Sequence, residues 1–364
     1  MKGLTYQEIT AALAGKTVLL TGHTGFKGAW LAIWLHKMGC RVIGCALENP
    51  EPRSVFARSG IGERMAEHHI VDIRDLEALW RIVDRTQPDV IFHLAAQPLV
   101  RLSYEQPVET YAVNVMGTVH VLECIRRLQK DVTAVMITTD KCYENMEWTW
   151  GYRENDRLGG HDPYSSSKAC CEIAISSWRR SFCHDGQPFL KRVASARAGN
   201  VIGGGDWALD RIVPDCIRAL EQDRPIQLRN PNAVRPWQHV LEPLWGYIKL
   251  AVLMQQGEVQ PDAWNFGPDD SSCVQVGEIA RELIRLYGRG SCIVNHDPNA
   301  VKESNLLRLD NSKAKRQLGW FPVWNVKEAL RYTAQWYQSC DAGDVYALCC
   351  RQIDEYTKAL EAEV

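Results

Sequence analysis

Apolar residues in the first half of the chain come in short runs of strand length, separated by longer amphipathic stretches. The runs are TVLLT (17–21), RVIGCAL (41–47), HHIVDI (68–73), VIFHLA (90–95) and AVMITT (134–139). Between them, KGAWLAIWLHKMG (27–39) and VNVMGTVHVLECIRRLQ (113–129) carry the spacing of helices. Strands alternating with helices pair in parallel through right-handed crossovers. The pattern therefore predicts an α/β fold, a doubly wound parallel sheet of Rossmann type covered on both faces. Near residue 200 the rhythm breaks. Gly, Pro and Asn cluster in GNVIGGGDW (199–207) and RNPNAVRPW (229–237), and mixed helices follow. We expect a dinucleotide-binding domain over 1–199 and a smaller mixed substrate lobe over 200–364, with some of its segments returning to the first domain. No internal repeat or low-complexity linker interrupts the chain.

Composition narrows the function classes. At 364 residues, with 46% hydrophobic and 24% charged residues, the chain is an ordinary globular sequence with room for a sizeable core. A net charge of -2 leaves no broad basic surface for nucleic acid or an anionic membrane. The opening stretch MKGLTYQEITAALAGK has no apolar run of secretion-signal length, and no later segment approaches a membrane span. The expected location is the cytoplasm. Thirteen cysteines raise the question of metal or disulfides, but none stand in CxxC spacing, and Cys170/Cys171 and Cys349/Cys350 are adjacent. They read as reduced, buried thiols. The histidines are scattered, and no metal site is assigned.

TGHTGFKG follows the first strand and opens the first helix, placing Gly22, Gly25 and Gly28 in GxxGxxG spacing. Glycine is needed where backbone turns tightly against a pyrophosphate, and the helix N-terminus offers free N–H groups and a positive dipole end. In this strand–turn–helix context the motif predicts dinucleotide binding. A ribose-binding acid is expected about 20 residues further on. Glu48 fits and favours NAD over NADP, although nearby Arg53 could instead meet a 2′-phosphate. Asp72 and Ile73 end the third strand, where a carboxylate could reach the adenine; the plainer alternative is a solvated Asp72 beside an N-cap at Asp75.

YSSSK sets Tyr164 and Lys168 four residues apart, on one face of a helix. A phenol titrates near 10, and a neighbouring ammonium stabilises the phenolate. The same lysine can hold the nicotinamide ribose. The fifth strand ends in TTDKCY (138–143), where Asp140 and Lys141 stand in place of ordinary turn residues. A plain ion pair would explain them; so would a catalytic edge.

In these motifs the chain resembles the extended short-chain dehydrogenases/reductases of nucleotide-sugar type. The likeness runs through TGHTGFKG, DIRD, PDVIFHLAAQ, NVMGT, TTDK, YSSSK, RAGNVIGGGDW, WNFGP and LDNSKAKRQLGWFP. Within them, TTDKCY and RNPNAVRPWQHV are similar to the CDP-glucose branch of the 4,6-dehydratases. The resemblance implies bound NAD, contacted also by Thr24, Phe26 and Ala95, and a nucleotide-sugar substrate. It implies that Thr139 hydrogen-bonds the sugar O4 and Tyr164 takes the 4-hydroxyl proton as hydride leaves C4. Asp140 is then the acid for water loss at C6. The better-known dTDP-glucose dehydratases follow this Asp with Glu as the C5 base; here Lys141 occupies that place, so the base is open. Gln97 should face the sugar, and Asn200 and Arg235 the diphosphate. Arg197 and Arg229 could equally be packing or surface residues. The resemblance further implies pairing through the helices around 107–129 and 164–182 into a homodimer or homotetramer, and a role in deoxysugar supply for lipopolysaccharide. A nucleotide-sugar C4 epimerase is the competing enzyme, which the Asp140–Lys141 pair disfavours. An idle NAD-sensing scaffold is the competing non-enzyme.

Overall fold

A computed structural model describes residues 4–184, 186–294 and 306–362. Seven parallel strands form the central sheet: β1 (Thr17–Thr21), β2 (Arg41–Ala46), β3 (Glu67–Ile70), β4 (Val90–His93), β5 (Val132–Ile137), β6 (Lys191–Ala198) and β7 (Ala263–Phe266). Their spatial order is β7-β6-β5-β4-β1-β2-β3, with every neighbouring pair parallel. The order reverses between β1 and β4. Loops leaving their C-terminal ends part there and open a crevice, the usual ligand position in such sheets.

The expected strands are present, with shifted ends. β5 begins two residues earlier than AVMITT and stops at Ile137, so Thr138 and Thr139 already belong to the loop. β3 covers only Glu67–Ile70 and alternates half-buried with exposed residues, because it is the sheet's edge. β7 comes from the second half of the chain and pairs with β6, Ala263 opposite Ser195 through Phe266 opposite Ala198.

Helix Phe26–Lys37 is buried continuously from Gly28 to Leu35. It lies between the sheet and later helices: Trp34 stacks on Trp245 of helix Leu241–Gln255, centroids 6.0 Å apart, and meets Tyr356 of helix Val345–Ala362 edge-on at 5.7 Å. Enclosure on all sides explains why it is apolar all round rather than amphipathic. The expected helix over 113–129 is regular over Gly117–Arg127 and is preceded by a wider π turn, Ala112–Met116. Beyond residue 200, small two-stranded pairs carry the lobe: Val201–Ile202 with Gln238–His239, Ile226–Leu228 with Cys292–Val294, and Val234–Pro236 with Cys273–Gln275. No described helix is long and apolar enough to cross a membrane.

Candidate active site

A cleft of about 1720 Å³ runs along the carboxyl ends of the strands, between the sheet and the second lobe. Its first wall is the turn after β1. Gly22 has φ 74°, and a Cβ there would stand 2.7 Å from the Ala95 nitrogen; a Cβ on Gly28 would stand 2.1 Å from the Gly22 carbonyl oxygen. Only glycine fits this turn. Gly25 caps helix Phe26–Lys37 with no side-chain hydrogen bond to its first turn. That leaves the N–H groups facing the cleft, a cradle suited to a pyrophosphate.

Thr24, Phe26, Glu48, Asp72, Ile73 and Ala95 all line this end. Glu48 is exposed at the loop after β2. Arg53 is engaged elsewhere, its guanidinium 3.7 Å from the Trp207 ring centroid and its Nη2 2.6 Å from Glu221. Asp72 is gripped by Arg74, whose hydrogen bonds hold its carboxyl below the usual range, and Asp75 caps helix Leu76–Thr86.

The second wall is the catalytic edge. Asp162 accepts hydrogen bonds from the Ser165 N–H (2.8 Å) and hydroxyl (2.6 Å), and Pro163 takes the first helical position, so DPYSSSK starts helix Pro163–Phe182. Tyr164 and Lys168 then point into the cleft, 8% and 5% exposed. Burial pushes the Tyr164 phenol up; Thr139 beside it and Arg211 work the other way. Burial also lowers the Lys168 amine. Thr139 donates to Asp140 Oδ1 at 3.0 Å. The other carboxylate oxygen, Oδ2, is buried with no hydrogen-bond partner among the described residues. A Cβ on Gly199 would come within 2.7 Å of it, so this glycine makes the room. Burial raises the Asp140 pKa, opposed by Lys141, Thr139, Arg235 and Lys27. A buried carboxyl is held toward its neutral, proton-bearing form. Lys141 is half-buried and lines the same space.

Asn200, Arg229 and Arg235 line the third wall, with Arg235 7% exposed. Arg229 pairs with Asp210 at 2.7 Å. Gln97 departs from expectation: it is not in the cleft wall. Its amide donates to the Leu99 carbonyl and the Thr110 hydroxyl, both at 3.0 Å, while its oxygen accepts from the Leu99 N–H at 2.6 Å. The side chain closes its own loop, which satisfies its polar atoms. Arg197 is a buried packing group, paired with Glu172.

Two cleft residues escaped the sequence reading. Lys27, inside the glycine motif, is half-buried there, and its amine is lowered to about 8 by burial and by Arg211. Arg211 is held by buried Asp206 at 2.8 Å. Its signal is the acid–base pattern of the DWALDR stretch, which begins at the end of the glycine cluster.

Residues 19–333 match the family model described as GDP-mannose 4,6 dehydratase. The chain is 47% identical over 349 residues to the CDP-glucose 4,6-dehydratase of Salmonella typhimurium (strain LT2), covering 95% of this chain and 97% of that relative. Among solved structures it is similar to an epimerase from Methanothermobacter thermautotrophicus, with TM-score 0.77 and 23% identity, covering 91% of this chain and 94% of the other. It is also similar to the dTDP-glucose 4,6-dehydratase of Bacillus anthracis in complex with NAD, with TM-score 0.74 and 20% identity, covering 89% and 97%. At such identities the structures share the fold alone, and one fold serves both reactions. The family match spans the glycine turn, the catalytic edge and most of the second lobe, and with near-full-length identity to a dehydratase it makes this chain a member of the GDP-mannose 4,6 dehydratase family of nucleotide-sugar enzymes.

Proposed function

We propose that the protein converts CDP-glucose to the CDP-4-keto-6-deoxy sugar and water, with NAD as a resident cofactor. One observation carries this reading: a chain 47% identical to a CDP-glucose 4,6-dehydratase lines one cleft with Tyr164, Lys168 and Asp140, a buried carboxyl with an unpartnered oxygen. An epimerase that only moves hydride at C4 has no use for such an acid.

The glycine cradle fits a dinucleotide: its helix N-terminus would hold the pyrophosphate, Glu48 the ribose and Asp72 the adenine side. Bound there, NAD would supply the hydride acceptor for C4 and the hydride donor for C6. Tyr164 takes the 4-hydroxyl proton while Thr139 orients the oxygen, and the cationic Lys168 favours the phenolate. Once C4 is a ketone the C5 proton is acidic, and Lys141 is placed to remove it. Asp140 gives its proton to the departing 6-hydroxyl, which leaves as water. A proton then returns to C5 as hydride reaches C6. Asn200 and Arg235 hold the diphosphate, the guanidinium matching two phosphate oxygens at once.

We further infer the domain division given above and a homodimer or homotetramer paired through helices Pro107–Tyr111, Gly117–Arg127 and Pro163–Phe182. Val108 and Ile173 on these helices, and Met116 in the π turn Ala112–Met116 between the first two, are 82%, 59% and 48% exposed, apolar side chains in need of a cover. A cytoplasmic enzyme supplying deoxysugars for lipopolysaccharide fits this substrate class. The deciding experiment incubates purified protein with CDP-, dTDP-, UDP- and GDP-sugars and scores keto-sugar absorbance in base. CDP-glucose should react with no net NADH. A C4 epimer as the product, or free NADH in step with product, would overturn the reading.

A further inference from the structure

Beneath the catalytic edge lies a buried ion pair that this chemistry does not use. Glu172 follows Lys168 by four residues and Tyr164 by eight on helix Pro163–Phe182, so the three share one face. The side chains of Arg197 and Glu172 are 3% and 2% exposed. Arg197 Nη2 and the Ser195 hydroxyl, both on β6, each donate to Glu172 Oε2 at 2.7 Å. The Thr138 hydroxyl donates to Oε1, and Thr138 directly precedes Thr139 and Asp140. Arg197 Nη1 donates to the Tyr143 hydroxyl at 2.7 Å and to the Glu154 carbonyl at 2.9 Å; Tyr143 donates in turn to Asn265 of β7 at 2.8 Å. One carboxylate thus ties the catalytic helix to the end of β5 and to β6.

A buried ion pair is seldom more stabilising than apolar side chains of the same volume. Its place behind the reacting groups suggests another use. We propose that Glu172, clamped by Arg197, is a positioning residue: it anchors the catalytic helix to the end of β5 and stands as the fixed counter-ion of Lys168. The inference rests on the dehydratase reading, in which Lys168 must be cationic during C4 oxidation.

The charges around Lys168 support it. Burial disfavours its ammonium; the titratable groups around it are Cys171 and Glu172 on its own helix and Cys142, His93 and Lys27 from neighbouring elements. Burial pushes both thiols up and drives His93 down to about 3, so all three are neutral near pH 7. Lys27 repels. Glu172 is the carboxylate of the set, and although burial opposes its charge, Arg197, Thr138 and Ser195 hold it below the usual range.

The test is the alkaline limb of C4 oxidation, read as enzyme-bound reduced nicotinamide at 340 nm in a single turnover with CDP-glucose. Glu172→Gln keeps the shape and removes the charge. Lys168 should then lose its proton at lower pH, and the limb should move down by about one unit, so that at a pH on the falling side the rate drops about tenfold relative to its own plateau. Glu172→Asp, which restores the charge, should recover most of the shift. If Glu172→Gln does not fold because Arg197 is left unpaired, Glu172→Gln/Arg197→Met removes both charges and should still move the limb down, by less than the single variant because a cation is lost with the anion. A folded variant whose limb coincides with wild type, whatever its Tm, would overturn the inference alone. A wild-type enzyme that never forms bound reduced nicotinamide with any of the nucleotide sugars would remove the dehydratase reading, and this inference with it.

Discussion

Asp140→Asn separates the two halves of the proposed reaction. The carboxyl is 2% exposed, its Oδ1 accepts from Thr139 and its Oδ2 has no hydrogen-bond partner among the described residues. Asparagine preserves the volume and can still accept from Thr139, so Tyr164 and Lys168 should be undisturbed. It cannot deliver a proton to the 6-hydroxyl. General acid catalysis contributes about 10²- to 10⁴-fold, or about 3 to 5 kcal/mol of barrier, so water loss should slow by that factor while C4 oxidation proceeds. Mixing the holoenzyme with CDP-glucose should therefore give a burst of 340 nm absorbance that persists, where wild type shows only a transient. The pH dependence has a definite sign. Burial raises the Asp140 pKa, so its acid form extends to higher pH, and wild-type elimination should fall as pH rises through that raised value. Oxidation needs the phenolate and should rise with pH until Lys168 loses its proton. In Asp140→Asn the falling limb of elimination should vanish. Wild-type rates of keto-sugar formation, or parallel loss of oxidation and elimination in a variant of unchanged Tm, would refute the assignment of Asp140 as the acid.

Three other outcomes are expected. Gly28→Ala drives a methyl group into the Gly22 carbonyl, 2.1 Å away, and should leave purified protein without bound NAD, as absorbance after acid release would report; full occupancy would contradict the cradle. Lys141→Met should suppress exchange of the C5 hydrogen with solvent deuterium while bound reduced nicotinamide still forms; surviving exchange would place the base elsewhere. Placing aspartate at Val108 and Ile173 together should yield monomers by light scattering at micromolar concentration, and an unchanged oligomer would move the interface to another face.

Much of this molecule was readable in the order of its residues. Apolar runs such as TVLLT could bury both faces only in a covered parallel sheet, and that requirement is local in sequence. Gly22 and Gly28 announced a turn no other residue allows, and Tyr164 and Lys168 fall on one face by helical spacing alone. What the sequence could not decide is where long side chains end. Gln97 could point to the sugar or fold back on its loop, and only the backbone at Leu99 and the hydroxyl of Thr110 made the second choice. Arg197 could have gripped phosphate, Arg53 a 2′-phosphate; Glu172 and Glu221, 25 and 168 residues away, took them instead. The state of Asp140 was likewise invisible, because burial beneath Gly199 sets it and burial exists only after the second lobe has closed over the sheet. Strand and turn preferences act over a few residues and are written in them. Desolvation and the choice among distant polar partners depend on which surfaces meet, so tertiary packing alone decides them.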